Sequence, residues 1–172
     1  MCDIRLFRSA YTEFELAREI YRIPRNDEAF LNGIAYHLQQ SVEKLLKAFL
    51  ECKGVTVANT HDIYKLVRMS RDNGSNVIMT SWLEDRADTL TRWEMDTRYN
   101  MDYTVESEKV REGIQEIRHF FDVNGIKEEL RPEFSDQKVR EKLLSFFPKN
   151  FRPADDFEWN CYYQIYRKKI EK

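Results

Sequence analysis

Apolar residues recur along this chain at steps of three and four, and the clearest run lies at 27–52. There Phe30, Ile34, Leu38, Ser41, Leu45, Phe49 and Cys52 line one helical face, and Leu31, Ala35, Val42, Leu46 and Leu50 form a second seam beside it. Two adjacent seams make a helix apolar over more than the usual arc, which places it at the centre of a bundle or shares it with another subunit. Lys53-Gly54 supplies its stop, because glycine takes the left-handed conformation that closes a helix.

The same periodicity predicts helices on both sides. Thr12 followed by Glu15 reads as a capping box opening a helix at 12–21, which Pro24 ends. Thr60 is expected to cap a helix at 61–71, with Asp62 in its first turn, where a carboxylate suits the positive end of the dipole. After a turn at 72–75, a helix near 77–92 brings Ile78, Trp82, Leu83 and Leu90, with Trp93 just beyond. Residues 97–103 break the period and read as a loop, and the last bundle helix, 105–123, carries Val110, Ile114, Ile117 and Phe121 up to Asn124-Gly125. Only five glycines and four prolines interrupt the chain, so the expected fold is all-α. Residues 1–124 make the bundle. Residues 125–172 form an extension with helices at 135–147 and 157–170, parted by Pro148 and Pro153. It holds nine of the 23 aromatic residues, too apolar for a solvated linker, so it should pack on the bundle or on a partner.

Composition narrows this further. A chain of 172 residues, 42% apolar and 34% charged, makes one domain with an appendage, and no run nears the roughly 20 apolar residues of a bilayer span. Met1-Cys2-Asp3-Ile4-Arg5 has no apolar stretch behind it, which points to a cytoplasmic protein without a secretory signal. Cys2, Cys52 and Cys161 are odd in number and far apart, and are expected to be reduced thiols. The net charge of -2 offers no global attraction to a polyanion, so any nucleic-acid site must be a local patch.

The segment Tyr36-His37-Leu38-Gln39-Gln40-Ser41-Val42-Glu43-Lys44-Leu45-Leu46-Lys47-Ala48, followed by Thr60-His61-Asp62, resembles the HEPN (higher eukaryotes and prokaryotes nucleotide-binding) family, over residues of about 10 to 123. That resemblance implies an antiparallel up-and-down helical bundle that binds a nucleotide or RNA and forms a homodimer. It also implies a partner, a small nucleotidyltransferase in a toxin–antitoxin pair. Family members that cleave RNA carry an arginine and a histidine with four to six residues between them. None of the three histidines here fits: the positions five to seven before His37 are Phe30, Leu31 and Asn32, before His61 Gly54, Val55 and Thr56, and before His119 Glu112, Gly113 and Ile114. The expectation is therefore a non-catalytic nucleotide- or RNA-binding or assembly module. An RNase with a non-standard pair such as His61 and Arg98, and a pure protein-interaction subunit, stand as alternatives.

For the ligand, Lys44, Lys47, His61, Arg98 and Tyr99 are the residues to watch. The lysines and His61 are expected around one hollow, where they would supply charge and a hydrogen bond to phosphate or base; equally, His61 packs on Gln40 or Glu43. Arg98-Tyr99 is similar to the Arg-Tyr-Pro turn of non-cleaving relatives, with Asn100 in place of proline, and offers a phosphate grip beside a stacking ring. It could as well close the bundle end. No phosphate loop occurs, and Glu112 with Glu116 lacks a histidine for a metal, so no cofactor or metal is expected. Arg111, Arg118 and His119 read as a solvated face, and Arg167-Lys168-Lys169 as a fraying basic end.

Overall fold

The computed structural model of the protein describes residues 2–24, 27–57 and 59–172. Among them are seven α-helices: α1 (Arg5–Arg22), α2 (Glu28–Cys52), α3 (Ile63–Asp72), α4 (Ser81–Tyr99), α5 (Ser107–Val123), α6 (Gln137–Leu144) and α7 (Asp156–Ile170), with a 3-10 turn at Pro132–Ser135 before α6. The doubly apolar α2 packs against α1, α3, α4 and α5, so it is the central rod of the bundle. Both of its seams are buried, apart from Phe30 and Cys52 at the ends, which are half-buried. Asp27 caps it by accepting the Phe30 N–H, and Gly54, at φ 74°, turns the chain away.

α1 and α2 form an antiparallel hairpin, with Phe7 edge-on to Phe49 at 4.9 Å between ring centroids. α1 begins seven residues before the expected Thr12. Phe7, Ala10, Phe14 and Ala17 make one buried stripe, and Thr12 lies inside the helix, its hydroxyl donating to the Arg8 carbonyl at 3.0 Å. Cys2 and Cys52 are joined as a disulfide across the same end of the hairpin, with Cα atoms 4.8 Å apart. This corrects the expectation of three free thiols: the early start of α1 is what brings Cys2 to the end of α2. Cys161 alone keeps a thiol, buried, and desolvation pushes its pKa well above the usual value.

Asp62, rather than Thr60, caps α3, accepting the Lys65 N–H at 2.9 Å, while Thr60 accepts the Asp62 N–H at 3.2 Å. Two candidate caps sit side by side, and the one whose carboxylate reaches the third N–H onward wins. α4 runs on through residues 97–99, expected to be loop, and ends at Asn100. Gly113 lets α5 approach closely: a Cβ there would lie 3.1 Å from Trp93 and 3.2 Å from Leu38.

The extension is held to the bundle by buried amides. Asn124 and Gln164 are wholly buried and hydrogen-bond through Asn124 Oδ1 at 3.4 Å; Asn124 also brackets Ile78, and Gln164 donates to the Asn76 carbonyl at 2.9 Å. Asn160, also wholly buried, donates to the Lys127 and Glu129 carbonyls and accepts the Arg131 N–H at 3.0 Å. The Arg131 guanidinium donates to the Asn124 carbonyl and to Gln164 Oε1, and occupies the space a Cβ on Gly125 would need. The basic triplet 167–169 lies within α7, not in a frayed end.

Candidate functional site

On α2 the residues Tyr36, Gln40, Glu43 and Lys47 follow one another at steps of four, three and four, so they form a polar strip on an otherwise apolar rod. Glu43 is its hub. Only 3% exposed, its carboxylate accepts from Lys47 Nζ at 2.7 Å and Gln39 Nε2 at 2.8 Å, and lies 3.2 Å from His61 Nδ1. Burying a carboxylate is costly unless its lone pairs are met, and here three partners meet them. The pairing also fixes the imidazole: with Nδ1 turned to Glu43, the half-exposed ring of His61 presents Nε2 outward. Of the two structural partners foreseen for His61, Glu43 is the one found.

About two helical turns further back on α2, beside Tyr36, the end of α4 supplies a second group. Glu94, 5% exposed, accepts from Arg98 Nη1 at 2.7 Å, and the Arg98 guanidinium lies 5.8 Å from the Tyr36 ring centroid and 5.2 Å from that of Tyr99. A guanidinium has five N–H donors, and the single bond to Glu94 leaves the others toward a half-exposed face. Tyr99 is 73% exposed, an aromatic plate beside a cation.

Lys44 joins neither group. It donates to Glu13 of α1 at 2.5 Å, and Glu13 also bonds His37 Nδ1 at 2.6 Å. Burial acts to raise the Glu13 pKa, but the hydrogen bonds from Lys44 and His37 outweigh it and hold the carboxyl below its ordinary value. The five sequence-chosen residues thus separate into Lys47 with His61, Arg98 with Tyr99, and Lys44 on the α1 side; the expected common hollow does not hold Lys44.

Sequence reasoning foresaw Glu43 only as a neighbour of His61, and missed the anchors Glu13 and Glu94 together with Gln39 and Tyr36. A signal existed in the helical pattern: Glu43 and Gln39 sit within the buried arc of α2, and Glu94 follows the buried Trp93, positions where a polar or charged side chain is expected only with a partner. Glu112, weighed for metal, instead accepts from Trp82 Nε1 at 2.9 Å.

Arg111, Arg118 and His119 are exposed on α5. No described helix is long and apolar enough to cross a membrane. No curated protein and no solved structure matches the chain. The HEPN domain family model matches residues 5–128. That span takes in the whole of α1 through α5, with the α2 rod and both of its carboxylate-anchored groups, and the chain belongs to the HEPN domain family.

Proposed function

We propose that this protein is a non-catalytic nucleotide- or RNA-binding module of the HEPN type, acting in the cytoplasm, and that its ligand lies along the α2–α4 face. The observation that carries this is Arg98: buried Glu94 sets its direction, Tyr36 and Tyr99 flank it, and most of its donors are unspent. Guanidinium and ring side by side match a phosphate and its base, and base stacking on an aromatic is worth about 1–3 kcal/mol. Lys47 and His61 extend the same face, while Lys44, committed to Glu13, serves the fold rather than the ligand.

Fluorescence anisotropy with a short single-stranded RNA, and with ADP as competitor, tests the reading. Saturable binding should weaken about tenfold in Arg98→Gln and in Tyr99→Ala. Binding that ignores both substitutions would reject this face, and no saturable binding at millimolar ligand would reject the module.

A second reading draws on the Glu43–His61 pair. A carboxylate that fixes Nδ1 and leaves Nε2 outward is how a general base is oriented, so RNA cleavage by His61 is the competing activity. It requires cleavage by the wild type that His61→Ala abolishes. A homodimer, or a nucleotidyltransferase partner in a toxin–antitoxin pair, fits the exposed Met95, Tyr99 and Met101 at the same end of α4. Co-purification with the product of a neighbouring gene would test that assembly.

A further inference from the structure

A cavity of about 480 Å³ lies away from the α2–α4 face, between the C-terminal ends of α2 and α7, within the range of roughly 300–1,000 Å³ that takes small molecules. Phe49 and the Cys2–Cys52 disulfide contribute to its wall from the bundle, and Ile165 and Tyr166 from the extension. Its charged lining is Lys53 from the end of α2, Lys168 and Lys169 from the last turn of α7, and Glu51. Among the described residues none of the three lysines is in an ion pair, and neither is Glu51, so the lining carries three positive charges against one negative. The contrast with the α2–α4 face is sharp: there Lys47 and Arg98 each have a carboxylate.

Two of these ammonium groups are oriented by neutral partners. Lys169 Nζ lies 5.5 Å from the Tyr166 ring centroid, and Tyr166 is stacked on Phe146 at 5.1 Å; Lys168 Nζ is 3.4 Å from the Ser75 carbonyl. Cations at helix C-termini are favoured by the helix dipole, which accounts for a lysine at either helix end. The dipole does not account for two helices, distant in sequence, turning uncompensated lysines toward one concave space.

We propose that this cavity binds a small phosphate-bearing anion, with Lys53, Lys168 and Lys169 as its ligating groups. Phosphate is the class that three lysines lining one concave space serve best, since it offers several acceptor oxygens and more than one negative charge. The same chemistry could arrive as free pyrophosphate or as the phosphates of a nucleotide. The proposal stands apart from the nucleotide face of α2 and α4.

Calorimetric titration of the full chain with pyrophosphate, with ADP and with adenosine tests it, using wild type, Arg98→Gln, which weakens the α2–α4 face, and Arg98→Gln combined with Lys53→Gln and Lys168→Gln. The expected result is saturable binding of pyrophosphate, ADP or both that remains in Arg98→Gln and is weakened at least about tenfold when Lys53→Gln and Lys168→Gln are added. ADP binding better than pyrophosphate would identify a nucleotide as the source, and equal or better pyrophosphate binding the free anion. Protection of Lys53, Lys168 and Lys169 from acylation by the bound anion, read by mass spectrometry on wild type, gives the same answer without a substitution. The proposal is overturned if neither anion binds saturably, if adenosine alone binds as well as ADP, or if the lysines acylate equally with and without ligand. Binding to wild type that Arg98→Gln alone abolishes would overturn it too, while leaving the α2–α4 reading in place.

Discussion

At the scale of single residues, the bundle depends on positions whose neighbours leave no slack. Gly113 is buried on α5 where Trp93 and Leu38 would both press closer than van der Waals contact on a side chain, at 3.1 and 3.2 Å from the position of a Cβ. Alanine there gains helix propensity, about 1 kcal/mol over glycine, and loses a similar amount to crowding. Valine has no such balance: Gly113→Val should cost about 1–3 kcal/mol, measured as a lower urea midpoint, with Gly113→Ala near wild type. Glu13 makes a different prediction, because its partners hold its carboxyl below the ordinary value of 4.5. A depressed folded pKa means that the Lys44 and His37 pairing stabilises the protein fully above 4.5 and is lost as pH falls through the folded value. Glu13→Gln should therefore destabilise by about 1 kcal/mol at neutral pH, and the gap to wild type should close as the solution is acidified below 4.5. A gap that stays constant with pH would show that Glu13 acts by packing instead.

Elements show which parts of the fold could be read from the chain and which could not. α2 was legible nearly to the residue because all its signals are local: two seams, Asp27 in front and Gly54 behind. α1 was legible only in part, since Thr12 and Glu15 imitate a capping box while the stripe Phe7, Ala10, Phe14 and Ala17 carries the helix through them. The end of α4 was hidden by composition: its last two turns set Glu94, Asp96 and Arg98 between the other residues, and its buried face there includes Glu94, which no apolar period marks. Lys47 and Arg98 have their carboxylates four residues back on the same helix, a spacing local pattern can show, but Glu43 is 18 positions from His61 and Glu13 is 31 from Lys44, relations no local pattern encodes. The disulfide was lost for the same reason, and it gives a direct count. It closes a loop of 50 residues across the α1–α2 hairpin, worth about 3–4 kcal/mol by chain entropy. Without reductant the native chain should give no reactive thiol and the unfolded chain one, from Cys161; with reductant the unfolded chain should give all three. Three thiols without reductant would refute the pairing.

For the molecule as a whole, the decisive feature is how the extension joins the bundle. The family match ends at residue 128, inside the strand of chain that Asn160 holds by the Lys127 and Glu129 carbonyls. Tyr11 of α1 packs edgewise on Phe121 and lies 5.6 Å from Phe157 of α7, and Arg8 pairs with the α7 cap Asp155 at 2.8 Å. Asn124, Asn160 and Gln164 have no exposed surface, so their hydrogen bonds cannot be exchanged for water without opening the seam. Bundle and extension should therefore unfold together. Asn160→Ala removes the partner of two carbonyls and one N–H at once, and leaving buried polar groups unmet costs about 1–3 kcal/mol each before relaxation. In a thermal melt followed by both far-ultraviolet circular dichroism and tryptophan fluorescence, the variant should show one transition at a lower temperature, with the two signals still coincident. Trp159 reports from the extension and Trp93 from the bundle core, so an extension that loosened first would separate the curves. Such a separation would mean that the extension folds on the bundle as an independent appendage, and that the cavity formed by Lys53, Lys168 and Lys169 opens before the HEPN bundle does.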